Sequence, residues 1–160
     1  MAIKEGDKVP SVTLQQMTAE GPKPISTDEL FKGKRVVVIG VPGAFTPTCS
    51  TKHLPGFVDN LDAIKAKGVD TIACVSVNDA FVMDSWGKAQ NADGKVLMLG
   101  DGNADFTKAL GFEWDVSKFG MGVRSRRFAM LVEDGVVKNL LLEEGTGLDV
   151  STAENLLGAL

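Results

Sequence analysis

The 160-residue chain has only two cysteines, Cys49 and Cys74, and a single histidine, His53. Two cysteines exclude a disulfide scaffold of the secreted kind, and so few ligands exclude a structural zinc site, which needs four. No apolar run approaches the roughly 20 residues that cross a bilayer. Residues 1–8 hold no apolar stretch of signal-peptide type and no Arg- or Ser-rich character. The expected compartment is therefore the cytoplasm, the alternative being an organellar form that has lost a transit peptide. Positive charge is also short: 17 Lys and Arg against 21 Asp and Glu leave a net charge of −4, which argues against broad nucleic-acid binding. The one basic cluster, at 118–127, is too short to follow a phosphate backbone. What is present, 44% hydrophobic and 24% charged residues, fits one domain over 1–160 with a real core.

Residues 36–41 (VVVIGV) are a β-branched run without alternation, the pattern of a strand covered on both faces. A helix is expected from 47 to about 67, with Thr46 as N-cap, Pro47 in the first helical position, a kink at Pro55 and Gly68 as its stop. Residues 69–77 (VDTIACVSV) read as a second buried strand. Strand, helix and strand of this length imply a parallel, right-handed βαβ unit. Asn78 is the expected cap of a helix reaching Gln90, with Phe81, Val82 and Trp86 on one stripe. A short strand at 96–99, a short helix at 104–110 stopped by Gly111, and strands at 128–132 and 136–142 around Asp134-Gly135 follow. A Ser151–Glu154 capping box opens the last helix. A βαβ half and a ββα half sharing one sheet give an α/β, thioredoxin-like layout. Its mixed central sheet is flanked by helices, with an insertion before the hairpin. Layout alone does not give function.

Cys49 ends the run VPGAFTPTC (41–49), after the first strand and at the start of the first long helix. Unpaired N–H groups and the positive end of the helix dipole favour thiolate there. Thiol–disulfide oxidoreductases carry Cys-x-x-Cys at this place. Here Thr46-Pro47-Thr48-Cys49 puts a hydroxyl in the first position, so no local disulfide can form. A lone thiolate beside a hydroxyl suits attack on a peroxide oxygen, giving a sulfenic acid.

The stretch PGAFTPTCS (42–50) resembles the peroxidatic motif of the peroxiredoxins. HLPGF (53–57), SVNDAFVM (76–83), DGNADFTKALG (101–111) and GVRSRRFAMLVEDGVVK (122–138) are similar to their plant type II, glutaredoxin-accepting branch. The resemblance covers nearly the whole chain. It implies a thioredoxin-like domain with peroxiredoxin-type insertions and a thiol peroxidase acting on hydrogen peroxide and alkyl hydroperoxides in antioxidant defence. By it, Cys49 is the peroxidatic cysteine, Thr46 the hydroxyl bonding thiolate and peroxide, Pro42 the shield of the sulfur, and Arg127 the guanidinium beside it. It further implies regeneration by glutaredoxin with glutathione, or by thioredoxin, and a homodimer joined near the active-site loops with Phe45 and Phe119 contributing. No metal, haem, flavin or other cofactor is implied.

Lowering a thiol pKa from about 8.5 to ~6 raises the thiolate at pH 7 roughly 30-fold, but lost nucleophilicity takes back about tenfold. Most of the rate must then come from donors fixed around the breaking O–O bond. Plainer roles stand beside these. Thr46 is also an expected N-cap, and Arg124 and Arg126 read as solvated charges. His53, one turn after Cys49, raises a metal pair or a catalytic base, neither of which the chemistry requires. Cys74, in mid-strand, is a small buried hydrophobe or, after local unwinding, a resolving cysteine. Val150 stands near where an animal-type relative carries its C-terminal resolving cysteine, which closes that route. Phe45, Phe81, Trp86 and Phe119 are residues of the kind more often found in a core. The rival from another class is a redox-sensing interaction protein in which Cys49 oxidises slowly; a disulfide reductase is disfavoured by Thr46.

Overall fold

Strands that carry no alternation must be covered on both faces, and they occupy the middle of a seven-stranded sheet. The computed structural model describes residues 2–145 and 147–160. The strands are β1 (Thr13–Thr18), β2 (Gly21–Ser26), β3 (Arg35–Gly40), β4 (Thr71–Ser76), β5 (Leu97–Gly100), β8 (Phe128–Glu133) and β9 (Val136–Leu142). Their order is β2-β1-β5-β4-β3-β8-β9. β3 and β5 run parallel to β4, whereas β8 is antiparallel to β3 and to β9. This is the expected mixed sheet. β6 (Glu113–Asp115) and β7 (Val123–Ser125) pair separately and form the insertion before the β8–β9 hairpin. In that hairpin's turn Asp134 and Gly135 both have positive φ, 47° and 82°, as a two-residue I′ turn demands.

The helices are α1 (Thr27–Phe31), α2 (Leu54–Asp59), α3 (Leu61–Ala66), α4 (Ala80–Ala89), α5 (Asp105–Leu110) and α6 (Ala153–Ala159). Alternate residues of the central strands feed two cores. Val37, Ile39 and Cys74 face Leu54, Ile64, Trp86 and Leu156, from α2, α3, α4 and α6. Val36, Val38 and Ala73 face Phe31 and Phe106, from α1 and α5. Gly40 pairs with Phe128 across the β3–β8 ladder, and a Cβ at Gly40 would overlap the Phe128 ring. This glycine leaves the space that the Phe128 ring occupies.

Several expectations change. The single helix over 47–67 is divided. A π-helical turn, Cys49–His53, precedes α2, and Asn60 separates α2 from α3. Pro55 gives the reason for the first change: it has no N–H, and its ring would strike the carbonyl four residues back. The backbone answers with a wide turn in which the Leu54 N–H reaches the Cys49 carbonyl, five residues back. Asp79, not Asn78, caps α4, accepting the Val82 N–H at 2.8 Å. Thr152, not Ser151, caps α6, accepting the Asn155 N–H at 3.1 Å. On α4 the buried stripe is Ala80, Met83, Trp86 and Gly87, and Phe81 lies outside it. The β1–β2 hairpin and α1 had no counterpart in the sequence reading.

Candidate active site

Between β3 and the π turn the chain makes a tight loop. The Thr46 hydroxyl donates to the Gly43 carbonyl at 2.6 Å, and Thr46 accepts the Ser50 N–H only with its own carbonyl. It is therefore not a side-chain N-cap. Its hydroxyl proton is committed to Gly43, which leaves the oxygen lone pairs as acceptors toward an incoming O–H. Phe45 is left-handed, φ 64°, a conformation costing a non-glycine residue about 1–2 kcal/mol. Two outside groups hold the loop. Asn78 Oδ1 accepts the Ala44 N–H at 3.0 Å, and Arg124 Nη1 donates to the Pro42 carbonyl at 3.4 Å. Pro42 and Gly43 are buried. Arg126 donates from Nε and Nη2 to the Glu143 carbonyl at 3.2 and 2.6 Å. Arg124 and Arg126 thus serve as carbonyl props, not the solvated charges expected.

Cys49 has no accessible surface. The indole N–H of buried Trp86 donates to the Ser50 hydroxyl at 3.0 Å and fastens the next residue of the same turn. Arg127, between β7 and β8, is 3% exposed. Its Nη1 donates to His53 Nδ1 at 3.1 Å, while its Nε is buried with no hydrogen-bond partner among the described residues. The guanidinium therefore sits on the Cys49–His53 turn, inside the protein, with one N–H direction unspent. An unpaired buried donor is costly; it is tolerated where a ligand is meant to meet it.

His53 Nε2 lies 2.9 Å from the Ser151 carbonyl. A carbonyl only accepts, so Nε2 carries the proton and Nδ1 offers the lone pair that Arg127 uses. Burial first, then the Arg127 charge, push the His53 pKa down to about 3, against the opposing influence of Ser151 and Glu143. Both ring nitrogens are engaged, so His53 is neither a base for Cys49 nor half of a metal pair. The Ser151 end is itself fixed. Glu143 Oε2 accepts the N–H groups of Asp149, Val150 and Ser151 and the Ser151 hydroxyl, all at 2.8–2.9 Å. Burial raises the Glu143 pKa, but these donors outweigh it and hold the carboxyl below its ordinary range. The sequence reading passed over Asn78, Ser151 and Glu143 as site residues. Thr146, four positions before Val150, lies outside the described residues.

Cys74 is fully buried in β4, in register with Ile39 and Met98. Burial, and then the nearby Cys49 charge, push its thiol up, with Arg127 opposing. Both thiols are free, and they belong to the same core. Among the described residues no group of three or more His, Cys, Asp or Glu could hold a metal ion, and no helix is long and apolar enough to cross a membrane. Phe45, Phe81 and Phe119 are 55%, 64% and 74% exposed and Val150 is 37% exposed, whereas Trp86 is core.

A family model described as Redoxin matches residues 4–157. Peroxiredoxin-2E-2, chloroplastic, of Oryza sativa subsp. japonica is 53% identical over 163 residues, spanning 99% of this chain and 72% of the relative. Peroxiredoxin-2B of Arabidopsis thaliana is 45% identical over 159 residues, 99% of this chain and 98% of the relative. Among solved structures, reduced Prx3 in complex with H2O2 from Vibrio vulnificus superposes with a TM-score of 0.94 at 55% identity. It covers 98% of both chains.

Proposed function

We propose that Cys49 is the peroxide-reducing sulfur of this chain, which belongs to the redoxin family, is a plant type II peroxiredoxin within it, and is a thiol peroxidase of antioxidant function. The Cys49 thiolate attacks one peroxide oxygen, an S–O bond forms, and the O–O bond breaks. The departing oxygen takes a proton and leaves as water or an alcohol, and the sulfur becomes a sulfenic acid. The observation that carries these roles is the free Nε of buried Arg127 beside the Cys49–His53 turn. It is a donor with positive charge aimed at nothing else, suited to the charge that gathers on the leaving oxygen. Thr46, with its proton held by Gly43, orients the peroxide by accepting from it. Pro42 closes the wall over the sulfur. Rapid mixing of reduced protein with one equivalent of hydrogen peroxide tests the reading. Trp86, bonded to Ser50, reports the change, and oxidation should be complete within about a second at micromolar concentrations. A rate equal to that of free cysteine would sink it.

The proposed reductant is glutathione with glutaredoxin, thioredoxin being the alternative. Its thiol attacks the sulfenic sulfur and expels water, and a second thiol then breaks the mixed disulfide to return Cys49. Val150 in place of a C-terminal cysteine supports an external donor. NADPH-coupled turnover with each system separates the two. The proposed assembly is a homodimer across the loop face, because exposed rings stand at Phe45, in the loop itself, and at Phe119, two residues before the Met121 carbonyl that accepts from Arg124. The proposed compartment is a reducing one, the cytoplasm first. The Oryza sativa relative is named as chloroplastic, and fractionation decides.

A further inference from the structure

A guanidinium buried in a protein ordinarily meets a carboxylate, because an uncompensated charge is expensive to bury. Arg127 meets an imidazole that carries no charge. We infer that His53 is a positioning residue for peroxide reduction: it fixes the rotamer of Arg127 without cancelling its charge. The inference rests on reading Arg127 as the cation that assists Cys49.

The geometry makes the choice of residue type intelligible. A carboxylate at this place would accept from Nη1 and Nε together, in the fork that carboxylates and guanidiniums favour. It would spend the free Nε and neutralise the site. An imidazole presents one lone pair and takes one N–H. Its other nitrogen must be protonated because the Ser151 carbonyl accepts from it, so the acceptor at Nδ1 is enforced from the far side. Glu143, the carboxylate whose charge reaches His53, has its Oε2 taken by four donors from 149–151. Phe57 packs edge-on against the imidazole, centroids 5.7 Å apart, and restrains its tilt.

The second part of the argument is where His53 stands. Cys49 and His53 are the two ends of one π turn. Arg127 reaches the site from the sheet, 78 positions further along the chain than the sulfur it assists. By bonding His53 it takes its position from the turn that carries the sulfur. The sulfur-to-cation spacing then depends on one turn of backbone and survives small shifts of sheet against helix.

The test is a double-mutant cycle on the full chain. Rates of Cys49 oxidation by hydrogen peroxide and of alkylation by iodoacetamide are measured for wild type, His53→Leu, Arg127→Gln and the double variant. A misplaced catalytic group costs up to about 100-fold, so His53→Leu should slow oxidation roughly 10- to 100-fold. Alkylation, which breaks no O–O bond, should change several-fold less. In the Arg127→Gln background His53→Leu should have no further effect on oxidation. An equal loss in both backgrounds, or in both reactions, makes His53 a core residue and overturns the inference, as does wild-type oxidation by His53→Leu. Arg127→Gln oxidising at the wild-type rate defeats the underlying reading instead, and it is seen without reference to His53. Should His53→Leu not fold, two conservative variants decide. Asn places an oxygen near the Nδ1 position and Gln places an N–H near the Nε2 position. The inference requires His53→Asn to oxidise faster than His53→Gln, and equal rates overturn it.

Discussion

Asn78 Oδ1 accepts the Ala44 N–H at 3.0 Å and the Ser76 hydroxyl at 2.7 Å, so one amide joins the end of β4 to the loop before the sulfur. Close backbone approach guards the joint: a Cβ on Gly100 would come within 2.8 Å of the Asn78 carbonyl oxygen and the Ala80 nitrogen. Asn78→Ala leaves the Ala44 N–H without its acceptor and should cost about 1–3 kcal/mol in urea unfolding. Peroxide oxidation should slow about tenfold as the loop loosens. Asn78→Asp keeps an acceptor and should lose less on both measurements. Unchanged unfolding of Asn78→Ala would show that the tether is idle.

Thr46→Val removes the hydroxyl that bonds Gly43 and faces the expected peroxide path. Oxidation should slow about 100- to 1,000-fold, the scale of a lost transition-state partner, with a stability cost of only about 1 kcal/mol. Thr46→Ser should retain most of the rate. Stopped-flow fluorescence beside a denaturation curve separates the two effects, and a rate loss no larger than the stability loss implies removes the catalytic role.

Acid should destabilise the protein through His53. Its pKa is about 3 in the folded chain and about 6.5 when unfolded. Below about pH 6.5 the unfolded chain binds a proton that the folded chain refuses. The stabilisation is therefore whole above that pH and is lost toward pH 3, at up to about 1.4 kcal/mol per pH unit. Glu143, with its carboxyl held low, adds a loss of the same sign at lower pH. Urea midpoints between pH 7.5 and 5 should fall for the wild type and stay nearly flat for His53→Asn. Parallel curves would mean that the imidazole is protonated in the folded chain.

Cys74→Ala should turn over peroxide with glutaredoxin within about twofold of wild type. A thiol buried in β4 and pushed toward its protonated form is a poor nucleophile. The cavity should cost about 1 kcal/mol. Mass spectrometry after one equivalent of peroxide should find no Cys49–Cys74 disulfide; finding one as the main product would make Cys74 the resolving residue.

Phe45→Gly separates assembly from folding. Glycine adopts φ 64° without the Cβ penalty, so the monomer should be equally stable or firmer by up to about 1 kcal/mol. Losing an exposed ring from the proposed dimer face should raise the dissociation constant at least about tenfold by sedimentation. An unchanged constant would move the interface elsewhere.

Buried strands were readable because their chemistry is local: VVVIGV at 36–41 and the Asp134-Gly135 turn permit little else. The β1–β2 hairpin was not, since TLQQMT is polar and GPKPIS is a proline-bearing edge strand, and neither carries an apolar alternation. Both cap positions slipped by one residue. Asn78 and Ser151 are good cap types standing next to others, and each is drawn away by a tertiary partner, Ala44 or Glu143. Cys49, Thr46, Pro42 and Arg127 stand out as candidates through a short motif and its resemblance, and their roles are the proposal that the rate measurements test. The surroundings of His53 were not legible, because its partners stand 74 and 98 residues away in the chain.

The complete enclosure of Cys49 has a consequence for the order of events in turnover. A peroxide, with two heavy atoms at its reacting end, can slip to a covered sulfur through brief gaps, whereas a cysteine carried on another folded protein cannot. On the proposed reading, oxidation should be timed by how well the chamber is arranged, and recovery with a protein reductant by how often the Cys49–His53 turn melts outward. Melting that turn also takes His53 from Arg127, so the shape that welcomes a reductant is one that has disarmed itself toward further oxidant. A half-repaired sulfur is thereby sheltered from a second strike.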